Sequence, residues 1–294
     1  MEHALNLTGR VERPVPPAPF HDTVLKSILG RTVNLWTSTI PILVTGESGV
    51  GKDYAAHRIH AAGPRRHRPL VAVDLGMIPH DGLESELFGR TGGSRAGDKA
   101  GLFRAADKGT LLLNGIGELP SDLQSALLRV LDTGEIVPAG GSRPVAVDVQ
   151  VIAASEFDLP DAVRAGTFRR DLQSLFNSVH VVVPPLRERP DKARLIRHLL
   201  SVEQDALGIE SNRQLSAELW SIFLNHPWPG NIRELRNLLR SLIVVAPAEI
   251  IQVSDLPRDF LAEMTFGQGW SADHSKRANG VCSSKRLALS ENSP

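Results

Sequence analysis

The sequence predicts a three-layer α/β sandwich with a mostly parallel sheet, followed by a small helical lid subdomain. Three observations carry this. Short apolar runs at Ile42–Thr45, Leu70–Val73, Thr110–Leu113, Val147–Ala154 and Val179–Val183 alternate with helical patterns, the order that places helices on both faces of a parallel sheet. The first run ends abruptly in a loop holding Gly46, Gly49 and Gly51 ahead of Lys52, and a helical pattern follows directly. Beyond Arg189-Pro190 the apolar spacing is helical throughout, at Ala193–Leu207, Leu215–Leu224 and Asn231–Val245, with no strand among them.

The chain has 294 residues, enough to bury a substantial core. Its 33 basic residues balance 33 acidic ones, so no overall field draws it to nucleic acid or to a membrane surface. The single cysteine, Cys282, excludes an intramolecular disulfide and fits a reducing compartment. The start lacks a signal-peptide profile, and no apolar run approaches the roughly 20 residues that span a bilayer. A soluble, cytoplasmic protein with no membrane partner is expected.

In chain order, residues 1–20 carry Pro14, Pro16, Pro17 and Pro19 with little apolar periodicity, and read as a flexible tail. His21 to Thr37 spaces Val24, Leu25, Ile28, Leu29 and Val33 as a helix leading into the glycine loop. Residues 21–186 form the α/β subdomain. In its loop, Gly46, Glu47, Ser48, Gly49, Val50, Gly51 and Lys52 sit between strand and helix. Such a loop turns successive backbone N–H groups onto one anion, the helix N-terminus adds partial positive charge, and the lysine reaches the β- and γ-phosphates. Asp53 follows the lysine where a Ser or Thr hydroxyl commonly ligands Mg²⁺.

Farther on, Asp81–Phe88 is a short helix and Arg90–Ala100 (RTGGSRAGDKA) an exposed loop. The third strand ends at Asn114-Gly115. Ser121–Leu131 is an amphipathic helix stopped by Gly134. Residues 187–262 make the helical lid. From 263 the composition turns to Ser, Gly, Asn and Lys, read as a disordered tail. Its basic pairs Lys276-Arg277 and Lys285-Arg286 read as solvated charge, so direct DNA binding is not expected.

GESGVGKD, LESELFG (Leu83–Gly89), GTLLL (Gly109–Leu113), IGELP (Ile116–Pro120), LQSALLRVLDTGE (Leu123–Glu135), PPLRER (Pro184–Arg189) and WPGNIRELRN (Trp228–Asn237) occur in that order. Together, over about residues 21–262, they resemble the AAA+ P-loop NTPase domain of bacterial sigma-54-dependent transcriptional activators. The resemblance implies an oligomeric ring, homo- or hetero-oligomeric, that binds ATP or ADP with Mg²⁺ and acts on sigma-54 RNA polymerase holoenzyme or pairs with a related activator subunit. Gly46 to Asp53 match its nucleotide loop; an acidic residue at the position of Asp53 is common in the family. Arg169 matches the first of two arginines that reach a neighbouring subunit's nucleotide. Arg233 matches the lid arginine that senses the γ-phosphate, a task suited to a guanidinium fork.

The chain also departs from that pattern. Asn114 and Gly115 stand where the family has an aspartate that holds Mg²⁺ and a glutamate that polarises the attacking water. Glu156 stands at the sensor asparagine, Asp74 at the asparagine that switches the catalytic glutamate, and Leu175 at the second trans-acting arginine. The loop after LESELFG lacks the family's aromatic GAFTGA tip, which touches sigma-54, and no helix-turn-helix pattern follows the lid. These departures imply a degenerate member that keeps its fold and nucleotide loop, hydrolyses poorly and regulates transcription. Three other readings stay open: an active ATPase with Asp74 or Glu156 as relocated acid, a DNA-binding regulator independent of sigma-54, and a decayed, inactive member.

Overall fold

The computed structural model describes residues 9–12, 30, 40–91, 99–209 and 213–266. The readings placed on the helix leading into the glycine loop, on the tip of the Arg90–Ala100 loop and on the C-terminal tail lie largely or wholly outside them. The strands are β1 (Gly9–Glu12), β2 (Ile42–Thr45), β3 (Leu70–Asp74), β4 (Thr110–Asn114), the hairpin pair β5 (Glu135–Ile136) and β6 (Val145–Ala146), β7 (Gln150–Ser155), β8 (His180–Val182), β9 (Gln214–Leu215) and β10 (Ile250–Ile251). Helices α1 (Lys52–Ala62), α2 (His80–Phe88), α3 (Leu102–Ala105), α4 (Ser121–Thr133), α5 (Leu159–Arg164) and α6 (Arg170–Phe176) connect the sheet strands. Helices α7 (Lys192–Ala206), α8 (Ala217–Asn225), α9 (Asn231–Val245) and α10 (Arg258–Phe266) follow the sheet.

Six strands form the main sheet in the order β1-β3-β4-β7-β2-β8, parallel throughout except where β1 meets β3. Its apolar strands explain its layers. Leu111 and Leu113 of β4 enter one core cluster while Leu112 enters the cluster on the opposite face, because successive side chains on a strand point to opposite sides. Leu43 of β2 and Val151 of β7 share the first face, and Val44 and Ile152 the second. A strand covered on both faces reads as a continuous apolar run, which is why no alternation marks these segments. The mostly parallel α/β sandwich read from the sequence is the one observed.

Two expectations are corrected. Gly9–Glu12, assigned to a flexible tail, pairs antiparallel with β3 as an edge strand, in register Gly9 opposite Val73. Four residues ahead of a proline cluster are too few to register as a strand pattern. The lid, expected to be all-helical, contains the two-residue parallel pair β9 and β10, also too short to leave a period. Boundaries moved as well: the strand expected from Val147 begins at Gln150, and the last lid helix runs to Phe266.

The lid packs around Trp228, which is fully buried and donates its indole N–H to the carbonyl of Phe223 at 2.8 Å. His226 packs edge-on against this indole and tilted against Phe260, with ring centroids 4.6 and 4.7 Å away, and its Nδ1 accepts the backbone N–H of Trp228. Burial, helped by the charge of Lys192, pushes the imidazole down from 6.5 to about 4. Between these values the unfolded chain holds a proton that the folded chain lacks, so falling pH favours unfolding across that window and the effect is complete below about 4. The expected loss is on the order of 3 kcal/mol. Urea midpoints measured from pH 6.5 to pH 4 should therefore fall more steeply for the wild type than for His226→Gln.

Candidate functional site

The strand registers bring the chemistry to one edge of the sheet. Thr45 lies opposite Ser155 and Val182, Asn114 lies opposite Ala154, and Asp74 lies opposite Asn114. The carboxyl ends of β3, β4, β7 and β2 therefore open side by side, the usual place for a ligand crevice in a parallel sheet. A cleft of roughly 480 Å³ lies here, bounded by the sheet end, the glycine loop and α9 of the lid, a size suited to a small-molecule ligand.

The loop leaves β2 at Gly46, and Gly51 takes a left-handed conformation, φ 95°, to start α1 at Lys52. Lys52 Nζ donates to the carbonyls of Gly46 at 3.1 Å and Glu47 at 2.9 Å, and lies 3.2 Å from Glu156 Oε1. Its side chain is 11% exposed, against 46% for Glu156. Burial pulls the ammonium below the ordinary lysine value, and the Glu156 carboxylate opposes that shift.

The lid is bound directly to this loop. At Gly49, φ 74°, a Cβ would overlap the carbonyl oxygen of Gly230, so backbone meets backbone there. The carbonyl of Gly49 accepts the N–H groups of Ile232 at 2.9 Å and Arg233 at 3.3 Å, which uses two of the free donors at the start of α9. Arg233 Nη1 donates to Ser48 Oγ at 3.0 Å. Asn231, fully buried at φ 54°, donates its amide to the Ser48 carbonyl at 2.9 Å and to Glu47 Oε2 at 3.1 Å, while its Oδ1 accepts the N–H of Leu186 at 2.8 Å. Arg187 binds the Glu47 carboxylate with both terminal nitrogens and, with Asn231, holds its pKa below the usual carboxylate value against the opposing pull of burial.

Of the residues expected at the nucleotide, Gly49, Gly51, Lys52, Asp53 and Arg233 line the cleft, together with Asp74, Asn114, Gly115 and Glu156. Gly46, Glu47, Ser48 and Val50 do not line it. The Glu47 side chain fastens loop to lid, and Val50 is buried in the sheet's core. Arg169 is exposed, holds Asp171 at 2.6 Å and Ser125 at 3.1 Å, and is not in its own chain's cleft. Leu175 is half-buried in α6.

The end of β4 is chemically unusual. Asn114 Oδ1 is buried with no hydrogen-bond partner among the described residues, an expensive condition for an amide oxygen. Gly115, φ 73°, presents only backbone. Four polar lining residues were not anticipated: Glu118, Arg236, Asn237 and Arg240. The arginines follow Arg233 at helix spacings of three and seven, a stripe readable from the sequence. Arg236 and Arg240 both reach the carboxylate of Glu203 in α7, which is fully buried. Burial pushes that carboxyl up, but the two guanidinium hydrogen bonds outweigh it and hold the group below its usual value.

The sigma-54 interaction domain matches residues 20–182, and the AAA+ ATPase lid domain matches residues 187–269. This chain belongs to the sigma-54 interaction domain family. The DNA-binding transcriptional regulator NtrC of Escherichia coli strain K12 is 41% identical over 271 residues, 91% of this chain and 56% of that protein. The acetoin catabolism regulatory protein of Cupriavidus necator is 43% identical over 240 residues, 80% of this chain and 36% of that protein. The chain thus spans about half the length of NtrC. Among solved structures, NtrX from Brucella abortus in complex with ADP aligns with a TM-score of 0.75 and 28% identity over 88% of this chain and 58% of its own. Its complex with ATP aligns at 0.73 over 84% of this chain and 57% of its own. Hsp104, 18% identical with a TM-score of 0.53, shares the fold alone. No helix among the described residues is long and apolar enough to cross a membrane.

Proposed function

We propose that this sigma-54 interaction domain binds ATP or ADP in the cleft between sheet and lid, works within a homo- or hetero-oligomeric ring, and regulates transcription while hydrolysing ATP slowly. One observation carries the reading: Lys52 and the glycine loop face the same cleft as Arg233 of the lid, while the strand that should bring an acid pair ends in Asn114 and Gly115. The nucleotide complexes of NtrX, similar over most of this chain, support it.

The cleft's charges explain how a nucleotide enters. Lys52, Arg233, Arg236 and Arg240 face Asp53, Asp74, Glu118 and Glu156, so the pocket is close to neutral. A triphosphate gains most by displacing Glu156 from Lys52 and drawing the ammonium off the loop carbonyls onto its own oxygens. Arg233, resting on the Ser48 hydroxyl, is near enough to join it.

A divalent cation fits this donor set only as a companion of the phosphates. The orphaned Asn114 Oδ1 is an oxygen donor awaiting a partner, and no group of three or more acids, histidines or cysteines among the described residues makes a metal cage. Mg²⁺ favours one or two protein oxygens plus phosphates and water, and when bound it would offset phosphate charge. Asn114 supplies a neutral oxygen where an aspartate would be stronger, which weakens the site.

Slow hydrolysis follows from the same edge. Gly115 carries no base, and loss of a general base costs about 10²–10⁴ in rate. Before a nucleotide enters, Asp74 Oδ1 accepts the N–H of Gly76 and Glu156 pairs with Lys52, and neither acid is carried by β4, the strand that ends in Asn114. The partner in view is sigma-54 RNA polymerase, and the missing aromatic tip of the Arg90–Ala100 loop removes the apolar anchor such a contact needs. An open-complex assay at a sigma-54 promoter tests this. The protein alone is expected to give none, and robust open-complex formation without a partner subunit would refute the loop argument.

A further inference from the structure

The empty position at Gly115 is not empty space. Glu118, three residues on, turns back so that its Cδ and Oε1 lie 3.4 Å, and its Oε2 3.7 Å, from where a Cβ of residue 115 would stand. Its carboxyl carbon stands farther from that point than a glutamate's own would, with the oxygens on the same side of the cleft. The side chain is exposed, and the backbone beneath it is fixed. The turn Ile116–Glu118 is closed by the Glu118 N–H on the Gly115 carbonyl at 2.8 Å and anchored by Ile116, which is fully buried.

A second glycine completes the slot. A Cβ at Gly76 would collide with Glu118 Oε2, whereas one at 115 would only touch the same carboxylate, so the glycine at 76 is the one that leaves room for it. It forms no hydrogen bond or ion pair with any described residue, and it lines the same cleft as Lys52 and Asn114.

We infer that Glu118 stands in for the missing base of this cleft, a role that rests on the nucleotide-binding reading above. Its carboxylate takes a proton from the water that attacks the γ-phosphorus of ATP. The water oxygen forms the new P–O bond as the bond to the β,γ-bridging oxygen breaks, and that electron pair leaves on ADP. Inorganic phosphate is the other product, and the proton passes from Glu118 to solvent. A carboxylate reaching in from a turn replaces one carried by the strand, so this turnover is slow but specific to one residue.

The test uses the full chain, with ATP binding titrated and single-turnover phosphate release followed on the same samples. Glu118→Gln is expected to lower phosphate release about tenfold or more, to the background of Lys52→Ala. ATP affinity should rise about threefold in that variant, because a negative charge facing the phosphates is gone. A purely structural glutamate would not produce this opposed pair of changes. Gly115→Glu should restore release in the Glu118→Gln background, yet give no gain in the wild type, where two carboxylates would crowd one slot.

Equal release from wild type and Glu118→Gln overturns the inference. So does a wild type that binds ATP without release above Lys52→Ala, an outcome that leaves the nucleotide-binding reading intact. Absence of ATP binding in the wild type overturns both.

Discussion

Lys52→Ala is expected to abolish nucleotide binding while leaving the protein folded. The ammonium sits against the glycine loop, its side chain 11% exposed, and donates to the carbonyls of Gly46 and Glu47. Those carbonyls are modest partners compared with phosphate oxygens, because a carbonyl offers the ammonium only a dipole whereas a phosphate oxygen carries negative charge. Truncation also leaves Glu156 facing the phosphates without its counter-ion. An affinity loss of about 100-fold or more is expected, close to 3 kcal/mol. The folded state has less at stake, since Glu156 is half exposed and water replaces its partner. Melting temperature should move little, reflecting about 1 kcal/mol or less. Calorimetric titration with ADP, with a thermal melt of the same sample, checks both parts.

Asn231→Ala is expected to cause the largest loss of stability of any single change at the site. The side chain is fully buried and ties its own helix to two other segments: the Leu186 N–H on one side, the Ser48 carbonyl and the Glu47 carboxylate of the glycine loop on the other. Alanine leaves the Leu186 donor buried without a partner, at about 1–3 kcal/mol. It must also hold φ 54°, a left-handed conformation that asparagine tolerates better than alanine. A total near 2–4 kcal/mol should lower the melting temperature by roughly 5–15 °C. Asn231→Asp separates the contributions. It keeps an acceptor for Leu186 but sets a carboxylate against Glu47, so it should also destabilise, and more strongly at neutral pH than in acid. Nucleotide affinity should fall with both variants, since the same bonds hold the lid on the loop.

The sandwich was legible because its strands are buried on both faces and read as unbroken apolar runs, as in Leu111-Leu112-Leu113. The glycine loop was legible because a strand and a helix flank it. Gly9–Glu12 and the pair β9 and β10 were not, because two to four residues carry no period. Glu47 shows the limit of a motif. Its place in the loop gives no sign that Arg187 and Asn231, distant in sequence, bind its side-chain carboxylate. Glu118 was hidden for a related reason. Its closeness to Gly115 depends on how one turn folds back over the end of β4, and its closeness to Gly76 depends on the neighbouring strand. Arg236 and Arg240 could have been found from their spacing with Arg233 on one helix face.

The central claim is a cleft that holds nucleotide while its hydrolytic edge is impaired, and binding and turnover measured together on one wild-type sample test it most directly. Saturable binding of ATP and ADP below millimolar concentration is expected, with phosphate release at roughly 10⁻² s⁻¹ or slower, an ordinary enzyme rate reduced by the loss of a strand-borne base. No binding at millimolar nucleotide, or turnover of several per second, would contradict the account.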